Sequence, residues 1–113
     1  MVSHVVLMQP RPDLSPADRD RLIAAFERAL SEIPTIRDVR VGRRVTHGAR
    51  YEAQMPETGQ YLVLLQFDDL AGLIAYLEHP AHAELGDRFA DLLASALIYD
   101  FEEVRLDSLR DLA

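Results

Sequence analysis

One short segment, Tyr61–Phe67, constrains the fold more than any other part of the chain. Its residues are apolar at both alternating sets of positions, whereas a strand with one wet face alternates apolar and polar side chains. Such a strand needs cover on both faces of its sheet. The segment therefore predicts a sheet that is buried on two sides.

The other elements are predicted from periodicity and from helix-start signals. Val5–Gln9 is a short apolar strand that ends at prolines, and Val39–Val45 alternates apolar and polar positions. Residues 47–59 show no sustained period and predict a long mobile loop. Ser15 and Pro16 begin a first helix, which Pro34 ends. A second helix runs from Leu70 to about Glu78, and a third carries Leu85, Phe89, Leu92 and Leu93. A last strand runs from Leu97 toward Val104.

This order of strand, helix, two strands, helix pair and strand is typical of an α+β fold, the ferredoxin-like split βαβ unit. The helices of such a unit cover one sheet face, so the other face would be an exposed apolar patch in a monomer. Two copies packed sheet to sheet would bury that patch. We therefore expect a homodimer, with residues 1–104 forming the domain and residues 105–113 a frayed tail or a short terminal helix.

Composition argues against several kinds of site and partner. A chain of 113 residues has the size of one domain, and its lack of cysteine excludes thiolate metal sites and fits a cytoplasmic protein. A formal net charge of −7 disfavours nucleic acid as a partner. The apolar run at the N-terminus is too short to span a bilayer, so no membrane association is expected. The arginines between Arg37 and Arg44 favour a charged strand edge, with an anion site as the alternative.

Several motifs are similar to those of the stress-responsive A/B barrel domain (Dabb) family, over nearly all of residues 2–104. The most specific is the segment from Tyr76 to His82, which contains the sequence His-Pro-Ala-His. The supporting motifs are His4-Val5-Val6-Leu7, Ile36-Arg37-Asp38-Val39 leading into Val41-Gly42, Phe67 before an acidic helix cap, and Ile98-Tyr99-Asp100-Phe101. The resemblance implies a homodimeric α/β barrel built from two four-stranded sheets.

The resemblance also implies a set of site residues. One branch of the family comprises plant polyketide cyclases, which close an alkylresorcylic ring by intramolecular aldol condensation without metal or organic cofactor. Their catalytic Tyr and His match Tyr76 and His82, and the early histidine of the family matches His4. A further pocket histidine of these cyclases corresponds to Tyr61 in this chain, so the polar side chains of the pocket differ. No cofactor is expected, and the expected ligand is a small aromatic or polyketide-like molecule.

The residue types suit proton transfer. An imidazole such as His82 titrates close to neutral pH and can act as a base, and a phenol such as Tyr76 can donate a hydrogen bond to a developing enolate oxygen. The alternative is structural, with His82 capping the third helix and Tyr76 only packing. His79 is interpreted as structural, and His4 as a core histidine or a pocket residue. Tyr99 and Phe101 are interpreted as core residues.

His79 and His82 lack a third ligand, and Pro80 interrupts the helix that would aim both rings at one metal, so no metal site is expected.

Two classes of function remain open at this point. The first class is a small-molecule protein, either a cofactor-independent cyclase or lyase or a ligand carrier. The second is a non-catalytic dimer with a stress or interaction role.

Overall fold

The computed structural model describes residues 1–112, and it has the predicted α+β, ferredoxin-like architecture. Four antiparallel strands lie in the order β2-β3-β1-β4. The elements are β1 Val2–Pro10, α1 Pro16–Glu32, β2 Asp38–Arg43, β3 Tyr61–Phe67, α2 Leu70–Glu78, α3 Pro80–Leu92 and β4 Leu93–Glu102, with short 3₁₀ turns at Arg50–Gln54 and Leu106–Asp111. Ala113 lies outside the described residues.

Helix α1 begins where the sequence predicts. Ser15 forms a capping box, in which its hydroxyl accepts a hydrogen bond from the backbone N–H of Asp18 and the Asp18 carboxylate accepts one from the N–H of Ser15. Leu22, Ala25 and Ala29 are buried on the inner side of this helix. The helix therefore packs its apolar stripe against the sheet.

The strand bounds differ from the predictions at three places. Strand β1 begins at Val2 and β4 at Leu93, because each strand pairs with its neighbour beyond the apolar run that marks it in the sequence. Strand β2 ends at Arg43 instead of Val45. The predicted loop also contains a 3₁₀ turn, where the Glu52 carboxylate accepts hydrogen bonds from the backbone N–H groups of His47 and Gly48.

The sheet has one covered face and one uncovered face. Val6, Leu65 and Phe67 point toward the helices and are 3 %, 2 % and 0 % exposed. We call the opposite side the open face. Its apolar residues are Val5 and Leu7 on β1, Leu62 and Leu64 on β3, and Leu97, Tyr99 and Phe101 on β4.

The interpretation of Tyr99 and Phe101 as core residues is wrong for the single chain. Both side chains are 54 % exposed, because β4 is an edge strand and its odd-numbered positions point to the open face. The interpretation of the arginines between Arg37 and Arg44 as a charged strand edge agrees with the structure. Strand β2 is the other edge strand, and Arg37 and Arg40 donate to Asp68 and Asp38 at 2.8 and 3.2 Å. No helix within residues 1–112 combines the length and apolar character needed to cross a bilayer.

Candidate functional site

The break between α2 and α3 places Tyr76 and His82 side by side. Tyr76 lies in the last turn of α2 and His82 in the first turn of α3. The proline at position 80 begins α3, and residue 79 has extended backbone angles because the residue before a proline is excluded from the α region. The two rings meet at a centroid distance of 4.7 Å with an edge-to-face angle of 63°.

His79, and not His82, caps α3. Its Nδ1 atom accepts a hydrogen bond from the backbone N–H of Ala81 at 3.0 Å, and its backbone carbonyl accepts the N–H groups of His82 and Ala83. The structural interpretation of His79 is thereby confirmed. The capping alternative for His82 is wrong, because His79 already fills the cap position and leaves the His82 ring free to lie against Tyr76.

His4 lies in the core and forms an ion pair or hydrogen bond with Asp100. The side chain is 3 % exposed, and its Nδ1 atom lies 2.5 Å from Oδ1 of Asp100 on the neighbouring strand β4. An ionised carboxylate only accepts hydrogen bonds, so Nδ1 of His4 is the donor. This contact fixes the ring orientation and leaves Nε2 as the nitrogen that can face another group.

Tyr76 lies at the centre of a cluster of rings between the sheet and the two helices. Its ring centroid lies 5.4 Å from that of His4 and 5.3 Å from that of Phe67, in addition to the contact with His82. We call His4, Tyr76, His82 and Asp100 the His–Tyr cluster. Tyr76 is 2 % exposed and therefore removed from water, whereas His82 is half-buried.

Burial sets the protonation of both central groups. Desolvation, helped by the negative charge of Asp100, raises the pKa of Tyr76 to about 12, so its phenol stays protonated. Burial lowers the pKa of His82, and the nearby imidazole of His4 lowers it further, against the opposing effect of backbone hydrogen bonding at Leu77. The cluster therefore places a neutral imidazole beside a protonated phenol, which pairs a base with a hydrogen-bond donor.

Tyr61 lies away from the other three predicted site residues. It pairs with Met8, whereas His4 pairs with Leu65, so Tyr61 and His4 share a sheet face but lie roughly 13 Å apart along the strands. Tyr61 lines a cavity of about 430 Å³ at the other end of the sheet. The other lining residues are Met8, Pro10, Arg11, Leu14, Arg19, Leu22, Ile23, Val41, Gly42, Leu62, Val63 and Leu93. This cavity is mainly apolar and has a size typical of small-molecule sites.

Sequence reasoning missed Asp100. The motif Ile98-Tyr99-Asp100-Phe101 drew attention to its aromatic residues, but the alternation of β4 places Asp100 on the side of the sheet that faces the helices. The Asp100 side chain is 42 % exposed, so the signal lies in the buried His4 opposite it, whose ring nitrogen needs a hydrogen-bond partner. Within residues 1–112, no group of three or more His, Asp and Glu side chains is arranged to hold a metal ion.

A family model, the stress responsive A/B barrel domain, matches residues 2–103. The chain belongs to this family. The resemblance that the motifs indicated is thereby confirmed for the A/B barrel domain, which spans every residue of the His–Tyr cluster.

A curated relative of this A/B barrel chain is olivetolic acid cyclase from Cannabis sativa. The two are 23 % identical over 100 residues, which cover 88 % of this chain and 94 % of the cyclase.

Solved structures share the fold of this A/B barrel chain. A crystal structure of an Arabidopsis thaliana protein has a TM-score of 0.76 at 21 % identity, with 94 % of this chain and 98 % of that chain covered. A dimeric ferredoxin-like protein from Thermobifida fusca has a TM-score of 0.68 at 20 % identity, with 90 % of each chain covered. Hydroxynitrile lyase from Passiflora edulis has a TM-score of 0.72 at 16 % identity, with 92 % of this chain and 95 % of the lyase covered.

Proposed function

We propose that this A/B barrel protein is a homodimeric, cofactor-independent enzyme of the cyclase or lyase type, acting on a small aromatic or polyketide-like carbonyl compound. The observation that carries the proposal is the buried contact of 4.7 Å between the rings of Tyr76 and His82. A base and a hydrogen-bond donor of these kinds suffice for proton transfer beside a carbonyl group. We place the protein in the cytoplasm, which its lack of cysteine fits.

The proposed step is the removal of a proton from the carbon next to a carbonyl. The neutral imidazole of His82 accepts the proton, and the electron pair of the broken C–H bond moves to the carbonyl oxygen to form an enolate. The phenol of Tyr76 donates a hydrogen bond to that oxygen, which stabilises the developing negative charge. The enolate can then attack a second carbonyl of the same molecule, and the proton on His82 returns to the resulting alkoxide.

His4 and Asp100 support the phenol of Tyr76. The negative charge of Asp100 disfavours ionisation of Tyr76, which keeps the phenol able to donate. The ring of His4 packs edge-to-face on Tyr76 at 5.4 Å and limits its movement. We infer that His4 and Asp100 are positioning residues, which act on the substrate through Tyr76.

The cavity at Tyr61 is proposed to hold the apolar part of the ligand. Its lining is dominated by aliphatic side chains, and its volume of about 430 Å³ suits a ring or a short alkyl chain. Tyr61 is 42 % exposed and can offer its hydroxyl to a polar group of the ligand. This cavity and the His–Tyr cluster lie on the same side of the sheet.

Self-association is proposed through the open face. Its apolar side chains include Tyr99 and Phe101, each 54 % exposed, and monomeric proteins rarely leave such a patch in water. The structure from Thermobifida fusca, which shares the fold, is described as dimeric. The names of two other relatives, a cyclase and a lyase, agree with the proposed reaction type.

Proton abstraction can be tested without knowing the natural substrate. Wild-type protein is incubated with propiophenone in D₂O, and deuterium uptake at the carbon next to the carbonyl is followed by NMR. We expect His82→Ala to lower the exchange rate by ~10²- to 10⁴-fold, which is typical of a lost general base. Because the pKa of His82 is lowered, the wild-type rate should rise with pH through an inflection below 6.5.

Two variants serve as matched controls. His79→Ala removes a neighbouring imidazole from the same helix break, and Tyr51→Phe removes an exposed phenol far from the cluster. Both should keep the exchange rate within about threefold of wild type, whereas Tyr76→Phe should lower it at least about tenfold. Exchange by wild type no faster than buffer, or equal exchange in His82→Ala, would favour the non-catalytic dimer instead.

A further inference from the structure

The segment Val104–Leu112, which follows β4, has an apolar stripe with no cover in the single chain. We call it the C-terminal arm. Residues 106–111 form a 3₁₀ turn, and Leu106, Leu109 and Leu112 recur at every third position, which is the period of a 3₁₀ helix. The three leucines therefore lie in one row. They are 82 %, 51 % and 76 % exposed.

The residue before the arm is bonded to the open face. This residue, Glu103, accepts hydrogen bonds from Ser3 Oγ at 3.2 Å and from Gln66 Nε2 at 3.1 Å. Ser3 and Gln66 alternate with the residues that face the helices, so both belong to the open face. The carboxylate of Glu103 thus ties the start of the arm to that face.

Exposed apolar residues continue along the chain from β4 into the arm. Tyr99 and Phe101 are followed by Val104, which is 63 % exposed, and then by the row of leucines. The chain is also more extended than one compact domain, with a radius of gyration of 15.7 Å against about 13 Å for a domain of this length. These features are those of a subunit that completes its packing with another chain.

We propose that the C-terminal arm packs its leucine row on a second copy of this chain, as an exchanged arm of the homodimer. This inference rests on the proposed self-association through the open face. In a twofold dimer each copy gives one arm and receives one. A lipid surface fits less well, because Arg105 and Arg110 are offset by Asp107 and Asp111 and the chain carries a net charge of −7.

Charge placed on and off the leucine row tests the proposal. Full-length Leu106→Glu and Leu109→Glu are compared with Ser108→Glu, which adds the same charge to the same turn but lies off the row. Sedimentation equilibrium should show the dimer dissociation constant rising at least about tenfold in both leucine variants, as expected for a loss at an apolar contact. Ser108→Glu should stay within about threefold of wild type, and far-UV circular dichroism should be the same for all.

A cross-link distinguishes an exchanged arm from one that folds back on its own chain. The sequence contains no cysteine, so Ser108→Cys gives a single site for a benzophenone photo-cross-linker. Equal amounts of ¹⁴N- and ¹⁵N-labelled protein are refolded together before cross-linking. An exchanged arm then gives cross-linked peptide pairs in which one peptide carries ¹⁴N and the other ¹⁵N. Cross-links within one chain only would overturn the proposal.

The two proposals fail in different ways. If Phe101→Glu dissociates the dimer while the leucine variants match wild type, the arm proposal is wrong and association through the open face stands. Equal weakening by Ser108→Glu also overturns the arm proposal, since the effect would then follow charge and not the leucine row. A wild-type protein that stays monomeric overturns both proposals.

Discussion

At the scale of single residues, burial decides what Tyr76 can do. A phenol on the protein surface would ionise near pH 10, but the Tyr76 ring is 2 % exposed and lies near the carboxylate of Asp100. Both effects disfavour the phenolate. The same interior disfavours the charged form of His82, so each group is held in the protonation state that the proposed chemistry uses.

Tyr76 should make stability fall between pH 10 and 12. In that window the unfolded phenol loses its proton while the folded one keeps it, because the folded pKa is raised from 10.0 to about 12. Deprotonation then favours the unfolded state by about 2 to 3 kcal/mol at the upper end of the window. The chain contains no lysine, so few other groups titrate there. Urea denaturation at a series of pH values measures the effect.

The comparison uses two tyrosine variants. Tyr76→Phe should remove most of this alkaline loss of stability, and Tyr51→Phe, which changes an exposed phenol, should keep it. The same pH dependence in wild type and Tyr76→Phe would mean that the phenol of Tyr76 reaches water in the folded state.

At the scale of elements, the break between α2 and α3 is what forms the site. The backbone N–H of His79 donates to the carbonyl of Tyr76 to end α2, and its side chain then begins α3. In one continuous helix, residues 76 and 82 would be separated by about 600° of rotation, which is one full turn plus about 240°. Their side chains would then point to different sides of the helix. The change of direction at Pro80 brings the two rings together.

Loss of the His79 cap should destabilise the protein without removing the proposed base. His79→Ala leaves the N–H of Ala81 without its side-chain acceptor, and we expect the free energy of unfolding to fall by about 1 kcal/mol. His79→Ser keeps an acceptor and should recover most of this loss. Chemical denaturation measures both variants, and equal stability of His79→Ala and wild type would show that the cap contributes nothing.

At the scale of the whole molecule, the fold leaves one face of its sheet without cover. The helices cover one sheet face, and the uncovered face carries apolar side chains from three strands. Two sheets packed face to face would exclude water from those side chains, an arrangement that obligate homodimers use. The proposed dimer therefore follows from a fold in which helices cover only one of the two faces of the sheet.

Association should be sensitive to charge on the open face and insensitive to charge on the helical side. Phe101→Glu and Leu70→Glu change side chains that are 54 % and 59 % exposed, but Phe101 lies on the open face and Leu70 begins α2. At micromolar protein, sedimentation equilibrium should give twice 12.8 kDa for wild type and Leu70→Glu, and a smaller average mass for Phe101→Glu. Dissociation by both variants, or by neither, would contradict this placement of the interface.

The sequence alone predicted the elements and named three of the four residues of the His–Tyr cluster. Periodicity and capping residues are local signals, so α1, its start at Ser15 and the two-sided strand Tyr61–Phe67 could be predicted. Tyr76 and His82 are six positions apart across a proline, and a local break is enough to bring them together. The motifs around them also identified the family.

Only the tertiary structure decided the remaining contacts. Asp100 meets His4 across 96 positions, because the register of β1 against β4 sets them opposite each other. The register of β1 against β3 separates Tyr61 from the His–Tyr cluster, and the register of β1 against β4 turns Tyr99 and Phe101 to the open face. A shift of one residue in a strand's register would exchange its two faces, and β4 has apolar side chains at both alternating sets of positions, so its own pattern does not choose between them. Register is a property of paired strands, so the pairing had to be known before these residues could be placed.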